Sequence, residues 1–217
     1  MKFKAICFDL DGTLLNSLAD IANCTNELLL KRGFPTHNIN NFRYFVGNGV
    51  KNLITLSLPK EAINKKLIKE FQKDFEDKYR DNWYKTTIPY EDIPELLDEL
   101  INLDIKLSIL SNKPQEFTSL AVKRLLPNWQ FEAVLGQLED IPKKPSPEGF
   151  LIIKNQLQLS SKEFIFVGDT GTDMKTAVAA GCYPVGVLWG FRSEEELKDN
   201  GARKIISKPL ELLEIIN

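Results

Sequence analysis

Two carboxylates stand two residues apart in the run Phe3-Lys4-Ala5-Ile6-Cys7-Phe8-Asp9-Leu10-Asp11-Gly12-Thr13-Leu14, and a glycine follows them at once. In an extended segment, residues i and i+2 project to one side, so Asp9 and Asp11 start out aimed at a single spot. Gly12 permits a sharp turn and lets its own amide approach a ligand with no Cβ in the way. Two like charges held this close repel, which calls for a bound cation or for a carboxyl that keeps its proton. Both are raw material for phosphoryl transfer. The same residues also satisfy a hairpin, since Asp-Gly between apolar residues is a strong turn signal, and the stretch alone leaves both readings open. A calcium loop is excluded. With Asp9 as position one, Leu14 falls where the obligatory glycine belongs and Asp20 where the bidentate glutamate belongs.

Three further clusters could join this chemistry. Ser111-Asn112-Lys113 follows the apolar run ending at Leu110, and Gly168-Asp169-Thr170-Gly171-Thr172-Asp173 follows the run Phe164 to Val167. Lys143-Lys144-Pro145-Ser146-Pro147 precedes a helical pattern. Singly, each has an ordinary explanation: a loop, a turn into a helix cap, a solvated charge. Together, three apolar runs end in hydroxyl, amide or carboxylate groups instead of turn filler. In an open parallel sheet, ligands sit in the crevice at the carboxyl ends of the strands.

The elements that must position these residues can be read from periodicity. Phe3 to Phe8 has the length and bulk of a buried strand. From Asn16 to about Lys85 the strand character disappears. Leu18, Ile21, Ala22, Thr25, Leu28 and Leu29 recur at helical spacing, with Asn16 or Ser17 as the cap and Gly33 just past the end. Val50, Leu53, Ile54 and Leu58 repeat the pattern. Ile63, Leu67, Phe71, Phe75, Tyr79 and Trp83 then predict one long amphipathic helix. From Leu96 onward helices and strands alternate. Strands are predicted at Lys106 to Leu110, Phe131 to Leu135, Phe164 to Val167 and Pro184 to Leu188. Among the helices, one enters through Ser146-Pro147 with proline in its first turn, one spans Thr172 to Ala180, and one starts from a Ser193–Glu196 capping box. Alternation of this kind predicts a doubly wound, Rossmann-like parallel sheet with helices on both faces, an α/β core. The expected division is a core of residues 1–15 and 88–217 with a small helical domain, residues 16–87, inserted into it.

Composition narrows the function classes. Of the 217 residues 43% are hydrophobic and 27% charged, an ordinary globular balance, and the net charge of −2 gives no footprint for nucleic acid or an anionic membrane surface. No apolar run approaches the ~20 residues of a membrane span. The strand entered at Phe3 leaves no room for a leader, and Cys7, Cys24 and Cys182 lack paired spacing, so a cytoplasmic protein with reduced thiols is expected. His37 lies in the polar turn Pro35-Thr36-His37-Asn38 and reads as a solvated loop residue, which leaves acid–base work to carboxylates and lysines.

In this order the four motifs resemble those of the haloacid dehalogenase-like superfamily, over nearly the whole chain. Val46-Gly47-Asn48-Gly49, Pro89-Tyr90 and Ser111-Asn112-Lys113-Pro114 bring it closest to phosphoglycolate-phosphatase-like members. The resemblance implies that Asp9 is the nucleophile, forming an aspartyl-phosphate, and that Asp11 protonates the leaving alkoxide and later deprotonates water. It implies a magnesium ion held by the Asp9 carboxylate, the Asp11 backbone carbonyl and Asp169, with Asp173 orienting its waters. Ser111 and Lys144 would hold the phosphoryl oxygens, assisted by amides at Gly12 and Asn112. The inserted domain would be a cap, contacting the leaving group through Arg43 and the loop Gly47-Asn48-Gly49. As a dinucleotide fingerprint that loop fails, since Asn52 replaces the third glycine and no strand precedes it.

Dehalogenases of this superfamily lack the second aspartate, which is present here as Asp11. Sugar phosphomutases and pyrophosphatases remain open on the same fold, although Thr13 after Gly12 is the more phosphatase-like choice. A non-catalytic phosphate-binding protein is the rival from another class, and it would not need both a nucleophile and an acid. The implied partner is a small-molecule phosphate ester, with phosphoglycolate as the leading substrate. Relatives often carry Asp where this chain has Asn16, at the start of the linker into the cap.

Overall fold

The structure, a computed structural model, describes residues 3–216. The chain forms two compact units, Met1–Leu15 with Pro89–Asn217, and Asn16–Ile88. The strands are β1 (Ala5–Phe8), β2 (Leu15–Asn16), β3 (Ile88–Pro89), β4 (Lys106–Pro114), β5 (Ala133–Gln137), β6 (Phe164–Gly168), β7 (Tyr183–Val187) and β8 (Lys204–Ile206). β2 and β3 pair with each other where the chain leaves and re-enters the first unit. The other six form one parallel sheet in the order β5-β4-β1-β6-β7-β8. β1 is flanked by β4 and β6, and the order reverses there. This is the switch point where a doubly wound sheet opens a crevice for ligands.

The strands are apolar because helices cover both faces. β1 and β6 are buried at every position, as continuous Ile, Phe and Val runs require. On one face Cys7, Phe164 and Phe166 pack with Phe150, Ile153 and Leu157. Phe150 meets Phe164 edge-on at 5.0 Å between ring centroids. α1 (Leu18–Lys31), α2 (Phe42–Phe45), α3 (Val50–Ser57) and α4 (Lys65–Arg80) belong to the second unit. α5 (Ile93–Asn102), α6 (Gln115–Leu125), α7 (Glu148–Leu157), α8 (Gly171–Ala180), α9 (Glu194–Asp199) and α10 (Leu213–Ile216) belong to the first.

Within the helical unit α1 and α3 pack on α4. α4 starts later than the periodicity predicts, because Asn64 accepts from the Leu67 amide at 2.9 Å and caps it. Ile63 is left exposed, and Ile68 takes the buried position in the first turn ahead of Phe71, Phe75 and Tyr79. A strict four-residue repeat drifts around a helix of 3.6 residues per turn, so one stripe cannot hold all six predicted positions. Asp20, in the first turn of α1, closes the other end of the unit. Its carboxylate accepts from the amides and hydroxyls of Thr86 and Thr87 at 2.7–3.1 Å. Burial works against that charge, but these donors outweigh it and hold Asp20 below the ordinary aspartate range.

His37 is no solvated loop residue. Its Nε2 lies 2.8 Å from the Ser57 carbonyl, and its ring stands edge-on to Phe42 and Phe45. It joins α2 to α3 and has a structural part. Pro147 is the residue before α7 and not in its first turn. At α9, Ser193 accepts from the Glu196 amide as predicted, but Glu196 does not return the bond. Its carboxylate accepts from the Gly171 amide at 3.1 Å and pairs with Arg192. β8 and α10 were not anticipated. Their apolar sets are short, and the burial of Ile206 and Ile216 comes only from tertiary packing.

Candidate active site

The site is assembled at the carboxyl ends of β1, β4 and β6. Asp9 follows β1 directly, and its amide bonds the Val167 carbonyl of β6 at 2.9 Å. Its carboxylate is 2.8 Å from the Lys144 ammonium, which is also 2.6 Å from Asp173. All three side chains are buried. Asn112 fixes the lysine through its backbone. The Asn112 carboxamide oxygen accepts from the Lys144 amide at 2.8 Å, and its nitrogen donates to the Lys144 carbonyl at 3.0 Å. A cis peptide bond joins Lys144 to Pro145.

Asp169, fully buried, follows β6. It accepts from the Thr13 hydroxyl at 3.1 Å and from the Phe191 amide at 2.8 Å. The Trp189 indole donates to the Thr13 carbonyl at 2.9 Å, so the segment after β7 braces the turn after β1. Asp173 is the third residue of α8, where its carboxylate takes the Thr170 amide at 3.0 Å and hydroxyl at 2.6 Å while the Thr170 hydroxyl caps it in return. This is a capping box, a local motif that fixes a carboxylate at a helix start.

Carboxylate oxygens of Asp9, Asp169 and Asp173 all lie within 4.8 Å of one another. Two of these three buried carboxylates, Asp9 and Asp173, share one buried ammonium, while Asp169 has the Thr13 hydroxyl and the Phe191 amide as donors. Burial pushes Asp9 up to about 7, against the pull of Lys144 and with the push of Asp173. Burial also holds Asp169 well above its ordinary value, reinforced by Asp173 and Asp9 and opposed by Phe191 and Thr13. Burial alone would lower Lys144, but Asp173 and Asp9 together outweigh it and raise it. Fully ionised, the three carboxylates would outnumber the one ammonium beside them, which is why the metal-free site favours retained protons. An all-oxygen donor set with excess negative charge fits a hard divalent cation.

Asp11 is placed otherwise than the i, i+2 rule suggests. Its two oxygens lie 3.1 and 3.0 Å from the Lys113 ammonium, while Asp9 turns to Lys144. Each carboxylate of the pair thus has its own cation, and their mutual repulsion does not organise the site. Gly12 differs too. Its amide is committed to the Leu15 carbonyl at 2.9 Å, so the expected approach of that amide to phosphate is not what requires glycine. Its φ is +92°, and a Cβ there would stand 2.4 Å from Asp169. Glycine is needed because the turn must pass against the Asp169 carboxylate.

Ser111 is buried in β4, its hydroxyl accepting from the Lys113 amide at 3.3 Å. The motif Ser111-Asn112-Lys113 is strand, not loop. Arg43, Gly47, Asn48 and Gly49 belong to the helical unit. Arg43 sits in α2, and the other three form the connection to α3, where Gly47 and Gly49 have φ of +110° and +82°.

The family model for haloacid dehalogenase-like hydrolases matches residues 6–187. The chain belongs to that family. It is 27% identical over 202 residues to a phosphoglycolate phosphatase of Aliivibrio fischeri, covering 91% of this chain and 89% of the relative. To that of Photorhabdus laumondii it is 30% identical over 220 residues, covering 98% and 92%. A crystal structure of a predicted phosphoglycolate phosphatase from Haemophilus somnus superposes with a TM-score of 0.92 at 28% identity, over 100% of this chain and 99% of that one. The chain is thus a haloacid dehalogenase-like phosphatase, a phosphoric monoester hydrolase on the α/β fold of its family. No helix among the described residues is long and apolar enough to cross a membrane.

Two contributors escaped the sequence reading. Lys113 is one, although its place two residues after Ser111 in an extended run puts both on one side. The bracing of Thr13 and Asp169 by Trp189 and Phe191 has no local signature, since it joins residues more than twenty positions apart.

Proposed function

We propose that this hydrolase is a magnesium-dependent phosphatase of the cytoplasm, acting on a small phosphomonoester, with phosphoglycolate as its substrate. The observation that carries the reading is the Asp9 carboxylate beside a buried ammonium at the sheet's switch point, with a second, differently partnered carboxylate two residues on. Asp9, Asp169 and the Asp11 backbone carbonyl would hold the magnesium ion, and Asp173 would orient its waters. That ion supplies charge neutralisation for an anionic nucleophile meeting an anionic phosphate.

The chain's own residues divide the reaction. An Asp9 oxygen bonds to phosphorus while the ester P–O bond breaks, and its electron pair passes to the leaving oxygen, which takes a proton from Asp11. In the second half, water attacks phosphorus and gives a proton to Asp11. The bond from phosphorus to Asp9 breaks and phosphate leaves. Lys144 faces the reacting group from Asp9's side and balances its charge, and Ser111 offers a hydroxyl to a phosphoryl oxygen. The helical unit acts as the cap, with Arg43 and the loop Gly47-Asn48-Gly49 reading the leaving group.

Phosphate release from phosphoglycolate, measured with magnesium and with EDTA, tests the reading. Activity should vanish with EDTA, and Asp9→Asn should lower turnover by at least ~10³-fold. Retention of a tenth of wild-type activity by Asp9→Asn would refute the nucleophile. Return of the phosphoryl group to substrate, without free phosphate, would make the enzyme a phosphomutase.

A further inference from the structure

Lys113 has an ammonium in the catalytic crevice that the reaction above does not use. Its side chain is only 6% exposed, and that of its partner Asp11 11%. The Nζ spans both Asp11 oxygens, at 3.1 and 3.0 Å, instead of meeting one end-on. Burying an ammonium among polar groups is costly unless its bonds are well made. Lys144, by contrast, is directed to Asp9 and Asp173.

The lysine's backbone is held as firmly as its head. Its amide donates to the Ser111 hydroxyl and its carbonyl accepts from the Thr118 hydroxyl at 3.1 Å. A Cβ on Gly136 of the neighbouring strand would lie 2.8 Å from that carbonyl. Lys113 therefore projects from the end of β4, where the register with β5 shifts, with its backbone bonded on both sides, whereas Asp11 lies in the turn after β1.

We infer that Lys113 is the positioning residue for Asp11, holding its carboxyl where the leaving-group oxygen will be protonated. Contact of one Nζ with both oxygens fixes the plane of the carboxyl as well as its distance. Lys113 itself transfers no proton and touches no substrate atom in this scheme. The inference rests on the acid role proposed for Asp11, and it predicts a dependence that a fold-stabilising lysine would not show. Only a leaving group that needs a proton should suffer from its loss.

The test is a double-mutant cycle of Lys113→Met and Asp11→Asn, read as kcat on ethyl phosphate, a poor leaving group, and on p-nitrophenyl phosphate, a good one. Asp11→Asn should cost ~10²–10⁴-fold on ethyl phosphate and far less on the aryl ester. Lys113→Met should cost ~10²-fold more on ethyl phosphate than on the aryl ester, the scale of a 1 Å misplacement of a reacting group. Added to Asp11→Asn it should cost little more on ethyl phosphate, because residues acting as one unit are not additive. Lys113→Arg, which keeps a cation at that position, should regain part of the ethyl phosphate rate. Equal losses on both esters, or losses that multiply in the double variant, overturn the inference. If Asp11→Asn itself fails to discriminate the esters, the acid assignment falls instead. Should Lys113→Met not fold, Lys113→Gln is read by the same ratio and decides.

Discussion

Asp9→Asn should stabilise the metal-free protein at alkaline pH while abolishing its activity. Burial raises the Asp9 carboxyl from its ordinary 3.8 to about 7, with Lys144 only partly offsetting it. A carboxyl raised on folding binds its proton more tightly in the native chain. Its contribution to stability is thus full below the unfolded value and is lost as pH climbs through the native one. About three units at 1.36 kcal/mol each put the loss at about 4 kcal/mol above neutrality. Asparagine keeps the shape and carries no charge at any pH, so the variant escapes this loss. Lys144 keeps its 2.6 Å bond to Asp173 and is not left unpaired. In urea unfolding with EDTA, Asp9→Asn should exceed wild type by up to about 4 kcal/mol near pH 8, and the gap should close near pH 4. Magnesium at a hundred times Kd should narrow the gap, since it adds about 2.7 kcal/mol to a protein that binds it. A wild type more stable than Asp9→Asn in EDTA near pH 8 would refute the account of excess buried negative charge.

Lys144→Ala should lower turnover severely, because it removes the cation shared by Asp9 and Asp173, while its neighbour Lys143→Ala should stay near wild type; steady-state phosphate release ranks the two. Gly12→Ala must place a Cβ 2.4 Å from Asp169 at a φ of +92°, so a stability loss of about 1–3 kcal/mol and weaker magnesium binding by calorimetry are expected. Arg43→Ala and Asn48→Ala should each reduce kcat/KM on phosphoglycolate by roughly 1–2 kcal/mol of transition-state binding, with little change on p-nitrophenyl phosphate. Parallel losses on both substrates would make the loop structural.

Much of this architecture was legible because the strands are short and continuously apolar, with helices of clean period between them. Phe164 to Val167 could hardly be other than a strand buried on both faces, and Gly181 closes α8 in the left-handed conformation that glycine favours. Legibility failed where tertiary packing overrode local pattern. Nothing in Lys204–Ile206 announces a sixth strand, and Asn64 shifted the start of α4 by an interaction of one side chain with one amide. His37 looked polar by its neighbours in sequence, yet its partners Ser57, Phe42 and Phe45 come from elsewhere in the helical unit.

At the site, residue types were readable and pairings were not. Asp9, Asp11, Lys113, Lys144, Asp169 and Asp173 supply four carboxylates and two ammoniums, and the motifs alone do not say which cation serves which anion. Alternation along a strand aims Asp9 and Asp11 the same way only while the chain stays extended, and β1 ends at Phe8. Beyond it the chain turns, Gly12 at φ +92°, and the two carboxylates take different cations. Asp9 is drawn to the lysine that Asn112 holds by its backbone, and Asp11 to the one rooted in β4. That division separates a nucleophile embedded among anions from a carboxyl held by a strand-borne cation. The proposed reaction needs two carboxyls within two residues that do not exchange parts, one bonding to phosphorus and one serving the leaving oxygen, and separate cations keep Asp9 and Asp11 distinct.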